Sequence, residues 1–218
     1  MTQKYGKINE EDLDIDDISF FDLDNNDVED NDGQYPEVGE SLISQGSKSK
    51  YKLKEVKSLS PNVLLKLISR AKNFLKKDKV WKKICKEYDQ DPDIIDYIPT
   101  SFANLDVSAK TYHGIVLLNY KLLVDGDFFK DYSYLIHEYT HWFQQCYGDK
   151  PTQGSSQGSY LDNKFEQEGF QNQIKYIDEH QGEEEAKTYV KKLLDHHDVK
   201  KKTKKDELES ILMKKVDQ

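Results

Sequence analysis

Arginine is almost missing from this 218-residue chain: Arg70 is the only one, and all other fixed positive charge is lysine. A bidentate guanidinium clamp on phosphate or carboxylate is therefore not the central chemistry. Cysteine is scarce too. Cys85 and Cys146 are the only two, which excludes a disulfide scaffold and suggests a reducing compartment. No apolar run approaches the ~18 residues of a membrane span. The opening Met1-Thr2-Gln3-Lys4 soon turns acidic, so no secretory signal is expected and a cytoplasmic location is. Gly154 and Gly158 lack the preceding strand and the Gly-Lys-Ser/Thr context of a phosphate cradle, and no internal repeat is evident.

What is present is charge, unevenly spread. The chain is 36% hydrophobic and 33% charged, with a mean hydropathy of −0.88, which suits one domain plus a segment outside its core. Residues 1–40 hold fourteen Asp or Glu against two Lys, a net of −12. Their sparse apolar residues predict a disordered acidic tail or pro-segment over 1–47, able to fold on a partner. Asp12, Asp14 and Asp16, and then Asp22, Asp24 and Asn26, look like calcium loops. Both lack the Gly at the sixth position and the Glu at the twelfth, so an EF-hand is excluded. Over 48–86 the sign reverses, with fourteen Lys or Arg against Glu55 and Asp78, a net of +12. This face could dock the acidic tail, contact nucleic acid, or simply be solvated. An overall charge of −9 argues against nucleic acid.

Within 48–86, Ser60-Pro61 reads as a helix start, and Val63, Leu64, Leu67, Ile68, Ala71, Phe74 and Leu75 form a stripe of period 3.6. A second helix is expected over 80–88 with Trp81, Ile84, Cys85 and Tyr88 inward. Residues 102–109 read as a strand, 111–114 as a hairpin turn, and 115–120 as the best strand of the chain, β-branched and bounded by Gly114.

The stretch around which the rest is organised is His137-Glu138-Tyr139-Thr140-His141, with apolar residues on either side and no Pro or Gly from 132 to 146. A continuous helix puts positions i and i+4 one above the other, so His137 and His141 face one point. Two imidazoles there can fill two corners of a tetrahedral zinc site. Glu138, one step round, can take a proton from an activated water. The plain alternative is a buried helix whose two histidines are satisfied by hydrogen bonds. Cys146, five residues past His141, turns off this face and reads as a small core residue.

A catalytic zinc site needs a third protein ligand. Phe165, Gly169, Phe170, Gln173 and Tyr176-Ile177 fall near helical spacing, so a second helix is expected there, carrying Glu166 and Glu168. Over about 106–177 the chain resembles the gluzincin metallopeptidases, in which H-E-x-x-H on one helix is completed by a Glu on a following helix, often in E-x-x-A/S. Glu166 followed by Gly169 fits that pattern; Glu168 is the second choice. The chain is also similar to compact peptidases of phage and other microbial genomes, which would make a virion-associated location an alternative to the cytoplasm. Larger gluzincins often place an Asp four residues after the ligating Glu to hold the first His, and this chain has Phe170 there. Gln171, Asn172 or a backbone carbonyl could serve instead.

The resemblance implies an α+β zincin-like domain over 48–218, mostly helical, with a short antiparallel or mixed sheet and the metal site between two helices. It implies Zn2+ as cofactor and a peptide or protein substrate. It also implies an edge strand, from 115–120 or its neighbour, that pairs with extended substrate. Oxyanion candidates are Tyr160, Tyr176, His180, His196 and His197, although the last two, flanked by acids, read more readily as a surface helix end. Residues 148–160 read as a lid, a cleft wall or a plain loop. Two further helices are expected over 183–194 and 204–216. Two other functions stay open: a structural or virion assembly protein keeping the fold without turnover, and a nucleic-acid-associated protein using the 48–86 face.

Overall fold

The computed structural model describes residues 53–124, 128, 132–148 and 160–216, all in the second of the chain's two units (Met1–Gln34 and Tyr35–Gln218). The expectations for the acidic segment 1–47 and for a lid over most of 148–160 lie outside these residues.

A short helix α1 (Leu53–Lys57) leads to Ser60, whose Oγ accepts from Val63 N at 3.4 Å and starts α2 (Pro61–Leu75) with proline in its first turn. Val63, Leu67, Ile68, Ala71 and Leu75 are buried as their spacing requires, but Phe74 lies outside the core at 49% exposure. Asp78 Oδ1 accepts from Val80 N and Trp81 N, opening α3 (Lys79–Glu87) one residue earlier than expected. A 3-10 turn (Pro92–Tyr97) follows.

The expected single strand over 102–109 is two. β1 (Thr100–Ala103) and β2 (Ala109–Tyr112) flank β3 (Ile115–Asn119), β1 parallel to it and β2 antiparallel, in the order β1-β3-β2. The break has a physical cause: Asn119 Nδ2 donates to Leu105 O at 2.7 Å and Val107 O at 2.8 Å. Those carbonyls are thereby withdrawn from a ladder. The β2–β3 turn is only His113-Gly114, at φ 47° and 76°, the left-handed pair that a two-residue hairpin needs. β3 is thus the central strand, and the exposed edge expected near 115–120 belongs to its neighbour β2.

After α4 (Lys121–Val124) come the two long helices that carry the site, α5 (Ser133–Tyr147) and α6 (Lys164–Gln181), the latter preceded by a 3-10 turn (Tyr160–Asp162). Then α7 (Glu183–His196) and α8 (Lys202–Met213) close the fold. The result is mostly helical with a small mixed sheet, an α+β domain. Two cores form. One packs α1–α3, the sheet and α5; the other packs α6 on α7 and α8 through Ile174, Ile177, Val190 and Leu208. In the first, Trp81 and Tyr88 stack on Phe143 at 5.5 and 4.7 Å, anchoring α3 to α5.

The helix pair α5–α6 lies at the seam of these cores. Polar side chains fasten it along its length: Gln173 Nε2 to Ser133 Oγ at 3.2 Å, Asn172 Nδ2 to Thr140 Oγ1 at 3.0 Å, and Gln144 Nε2 to Phe165 O at 3.1 Å. The partners descend α6 as they ascend α5, so the helices run antiparallel. One expectation fails here: Cys146 is exposed beside Gly114 because the end of α5 runs out under the hairpin turn. Both cysteines are free thiols. No helix among the described residues is long and apolar enough to cross a membrane.

Candidate metal centre

α5 is buried on nearly every side, so His137 and Glu138 sit at only 6% and 7% exposure. Burying such groups costs free energy unless they find partners. His137 Nε2 and His141 Nε2 are 2.9 Å apart, and Glu166 Oε2 lies 3.5 Å from the first and 3.3 Å from the second. Among the described residues these three form the one cluster of His, Cys, Asp or Glu able to hold a metal. Two neutral imidazole lone pairs repel at that distance, so a proton or a cation must sit between them. Ligand atoms about 2.0–2.2 Å from a tetrahedral zinc ion lie roughly 3.3 Å from one another, so the donor set fits zinc in kind and spacing.

Without such an ion the cluster holds a proton. Burial pushes His141 down, but hydrogen bonding to Glu166 and the charges of Glu166 and Glu138 outweigh it and raise His141 to about 9. Burial pushes Glu166 up, yet contacts with His137, His141 and Tyr160 hold its carboxyl well below the usual range.

Glu166 reaches the pair because Gly169, one turn on, faces His137. A Cβ there would stand 3.0 Å from His137 Cε1 and 3.1 Å from Nδ1, so only glycine admits this crossing without a shift. Glu168, two residues along α6, faces the other way. Its Oε1 accepts from Tyr88 OH at 2.9 Å and its Oε2 from Gln144 Nε2 at 2.9 Å, so it does not join the cluster as the second-choice ligand. Gln144 in turn meets His141 Nδ1 through Oε1 at 2.7 Å, the outer hydrogen bond that orients a ligating imidazole. Among the described residues none serves His137 in this way. Its Nδ1 is buried with no hydrogen-bond partner among the described residues, and Phe170 packs edge-on against its ring at 4.5 Å. Gln171 instead binds Ile211 O, while Asn172 is held by Thr140 and Lys215.

Glu138 has a partner that sequence reasoning missed. Thr111 Oγ1, from β2, lies 2.7 Å from Glu138 Oε2 and 2.8 Å from its carbonyl oxygen. Gln145 fastens the same hairpin to α5, donating to Thr111 O and accepting from Gly114 N. The i, i+3 spacing from His141 could have pointed to Gln144; nothing in the sequence pairs Thr111 with Glu138.

The oxyanion candidates separate clearly. Tyr160 lies against Glu166; burial first, then that carboxylate, raises its hydroxyl far above the ordinary phenol range. His197 stacks on the Tyr160 ring at 5.0 Å and 17°, and burial and His196 lower its pKa. His196 is exposed and lies edge-on to the His197 ring at 5.1 Å. His180, exposed, pairs with Asp78 at 2.7 Å, and buried Tyr176 lies tilted against its ring at 4.2 Å; neither joins the cluster. Beside His137 and Glu138 opens a cleft of about 550 Å3, bounded also by Ser108, Ala109, Tyr160 and Phe170.

Comparison of the chain with protein-family models, with curated proteins and with solved structures finds no match.

Proposed function

We propose that this chain is a zinc-dependent hydrolase of the gluzincin kind that cleaves peptide bonds. The observation that carries the proposal is the convergence of His137 Nε2, His141 Nε2 and Glu166 Oε2 with the Glu138 carboxylate beside them. His137, His141 and Glu166 would hold the ion. Zinc in such a donor set supplies Lewis-acid activation of water and of a carbonyl.

The remaining work belongs to the chain. Glu138, held by Thr111, accepts a proton at its carboxylate and returns it to the leaving amine. Tyr160, beside Glu166, keeps its proton at neutral pH and can offer its hydroxyl to negative charge developing in the reaction. His197, flat against the Tyr160 ring, fixes its orientation. Extended substrate has an edge to join: Ser108 O accepts from Asn119 N, so by alternation the Ala109 backbone faces away from β3. Peptide as substrate class comes from the family resemblance; the donor set by itself supports metal-assisted hydrolysis.

Metal content of the purified protein, measured by mass spectrometry, is the test. About one zinc per chain is expected, lost in Glu166→Ala and kept in Glu168→Ala, with Glu138→Gln keeping zinc and losing cleavage. Protein that takes up no zinc when it is offered would refute the proposal. A non-catalytic assembly role is the second reading, favoured by the unpartnered Nδ1 of His137; it predicts zinc without turnover.

A further inference from the structure

The cleft beside the metal centre differs in chemistry from the rest of the chain. One residue in three is charged overall, at 33%, yet Glu138 and His137 are the only acidic or basic side chains among the described residues lining the cleft. Besides that pair its lining includes Ser133 and Tyr134 from the first turn of α5 and Tyr189 of α7, but neither His141 nor Glu166. Tyr134, Tyr160, Phe170 and Tyr189 bring aromatic rings to its walls. Gln173 lies in the wall at 6% exposure, and its amide donates to Ser133 Oγ, itself 2% exposed.

Such walls discriminate by chemistry. Among the described lining residues, a lysine or glutamate side chain that left water to enter would meet no opposite charge apart from the Glu138 carboxylate, which the reaction uses, and the His137 imidazole beside it. An aromatic ring would meet other rings edge-on or offset, and the Gln173 and Ser133 groups could accommodate one polar substituent. At about 550 Å3 the cleft falls within the usual size range of small-ligand sites.

Resting on the hydrolase reading above, we propose that this cleft is a selectivity pocket for an uncharged aromatic side chain adjoining the scissile bond, with Gln173 as the residue that sets its neutrality. A single change at Gln173 to glutamate would then redirect the pocket to lysine.

Two measurements on the full zinc-loaded chain test this. In the first, wild-type protein is given blocked alanine-based hexapeptides carrying one Phe, Leu, Lys or Glu, and cuts are located by mass spectrometry. In the second, binding of the same peptides to Glu138→Gln protein is measured by calorimetry. The Phe peptide is expected to be cut and bound at least about tenfold better than the Lys and Glu peptides. Adding Gln173→Glu should invert the Phe-to-Lys order while zinc stays near one per chain. Should Gln173→Glu fail to fold, Tyr189→Glu introduces the charge from α7 and should shift the order the same way. Cutting without preference among the four peptides would overturn the pocket and leave the hydrolase reading standing. Zinc uptake with no cut and no binding of any peptide would overturn both.

Discussion

Thr111 Oγ1 touches Glu138 twice, at the carboxylate and at the backbone carbonyl, at 2.7 and 2.8 Å. The edge strand β2 is thereby locked to the residue assigned as general base. A hydrogen bond to a charged group is worth about 1.5–3 kcal/mol. Thr111→Val keeps the side-chain shape and removes the hydroxyl. kcat should fall roughly ten- to hundredfold, with KM and zinc content unchanged and activity largely restored in Thr111→Ser. An unchanged kcat would show that Glu138 needs no such hold.

Gln144 is the outer partner of His141, and Glu168 and Phe165 O fix Gln144 in turn. Removing an outer-sphere partner typically costs 10–100-fold in metal affinity. Gln144→Ala should therefore weaken zinc binding by about that factor in a chelator competition titration. Glu168→Ala, one bond further out, should weaken it less. If the two variants lose equal amounts, Glu168 is nearer the metal than its contacts with Tyr88 and Gln144 place it.

Much of this was legible in the residues before the fold was seen. His137 and His141 announce themselves because four residues make one helical turn, and Ser60-Pro61 marks its helix start by local chemistry alone. The choice between Glu166 and Glu168 was harder. Two positions apart on a helix, they face nearly opposite sides, so only one can meet the histidines. Which one depends on the crossing of α5 and α6, set by the close approach of Gly169 to His137. The split of 102–109 into two strands was hidden for a similar reason: the Asn119 amide that captures Leu105 O and Val107 O comes from a strand further along the chain. Thr111 belongs to the same class, since its contact with Glu138 spans 27 residues.

The His141–Glu166 pair makes stability depend on pH when zinc is stripped. His141 is raised from 6.5 to about 9, so the folded chain holds a proton that the unfolded chain releases near 6.5. Stability from this group is fully present below about 6.5 and lost as pH rises through about 9. Glu166, held low, acts in the opposite sense: its contribution is present above its unfolded pKa and fades as pH falls. The melting temperature of chelator-treated protein should therefore decline between pH 6.5 and 9, and this slope should vanish in His141→Gln. Zinc must displace the same proton, so its affinity should climb across that window. A flat melting profile would mean that no proton is held between His137 and His141.

Gly169→Ala separates stability from metal binding. Alanine is favoured over glycine inside a helix by about 1 kcal/mol, and Gly169 lies within α6, so propensity alone would make the variant more stable. Against this stands the new methyl group, 3.0–3.2 Å from three atoms of the His137 ring. The ring has little room to retreat, with Phe170 at 4.5 Å on one side and His141 at 4.6 Å on another. A displacement of a few tenths of an ångström relieves the clash at modest energetic cost, so the two effects should nearly cancel in the melting temperature of the zinc-free protein. Metal binding does not enjoy that tolerance, because zinc–nitrogen bonds of about 2.0–2.1 Å leave little latitude for a displaced imidazole. The expected result is a melting temperature near wild type and zinc affinity reduced about tenfold or more, as for other disturbances of ligand orientation. Wild-type affinity in Gly169→Ala would mean that the helix crossing gives way more readily than the His137 ring, and that glycine here serves packing alone.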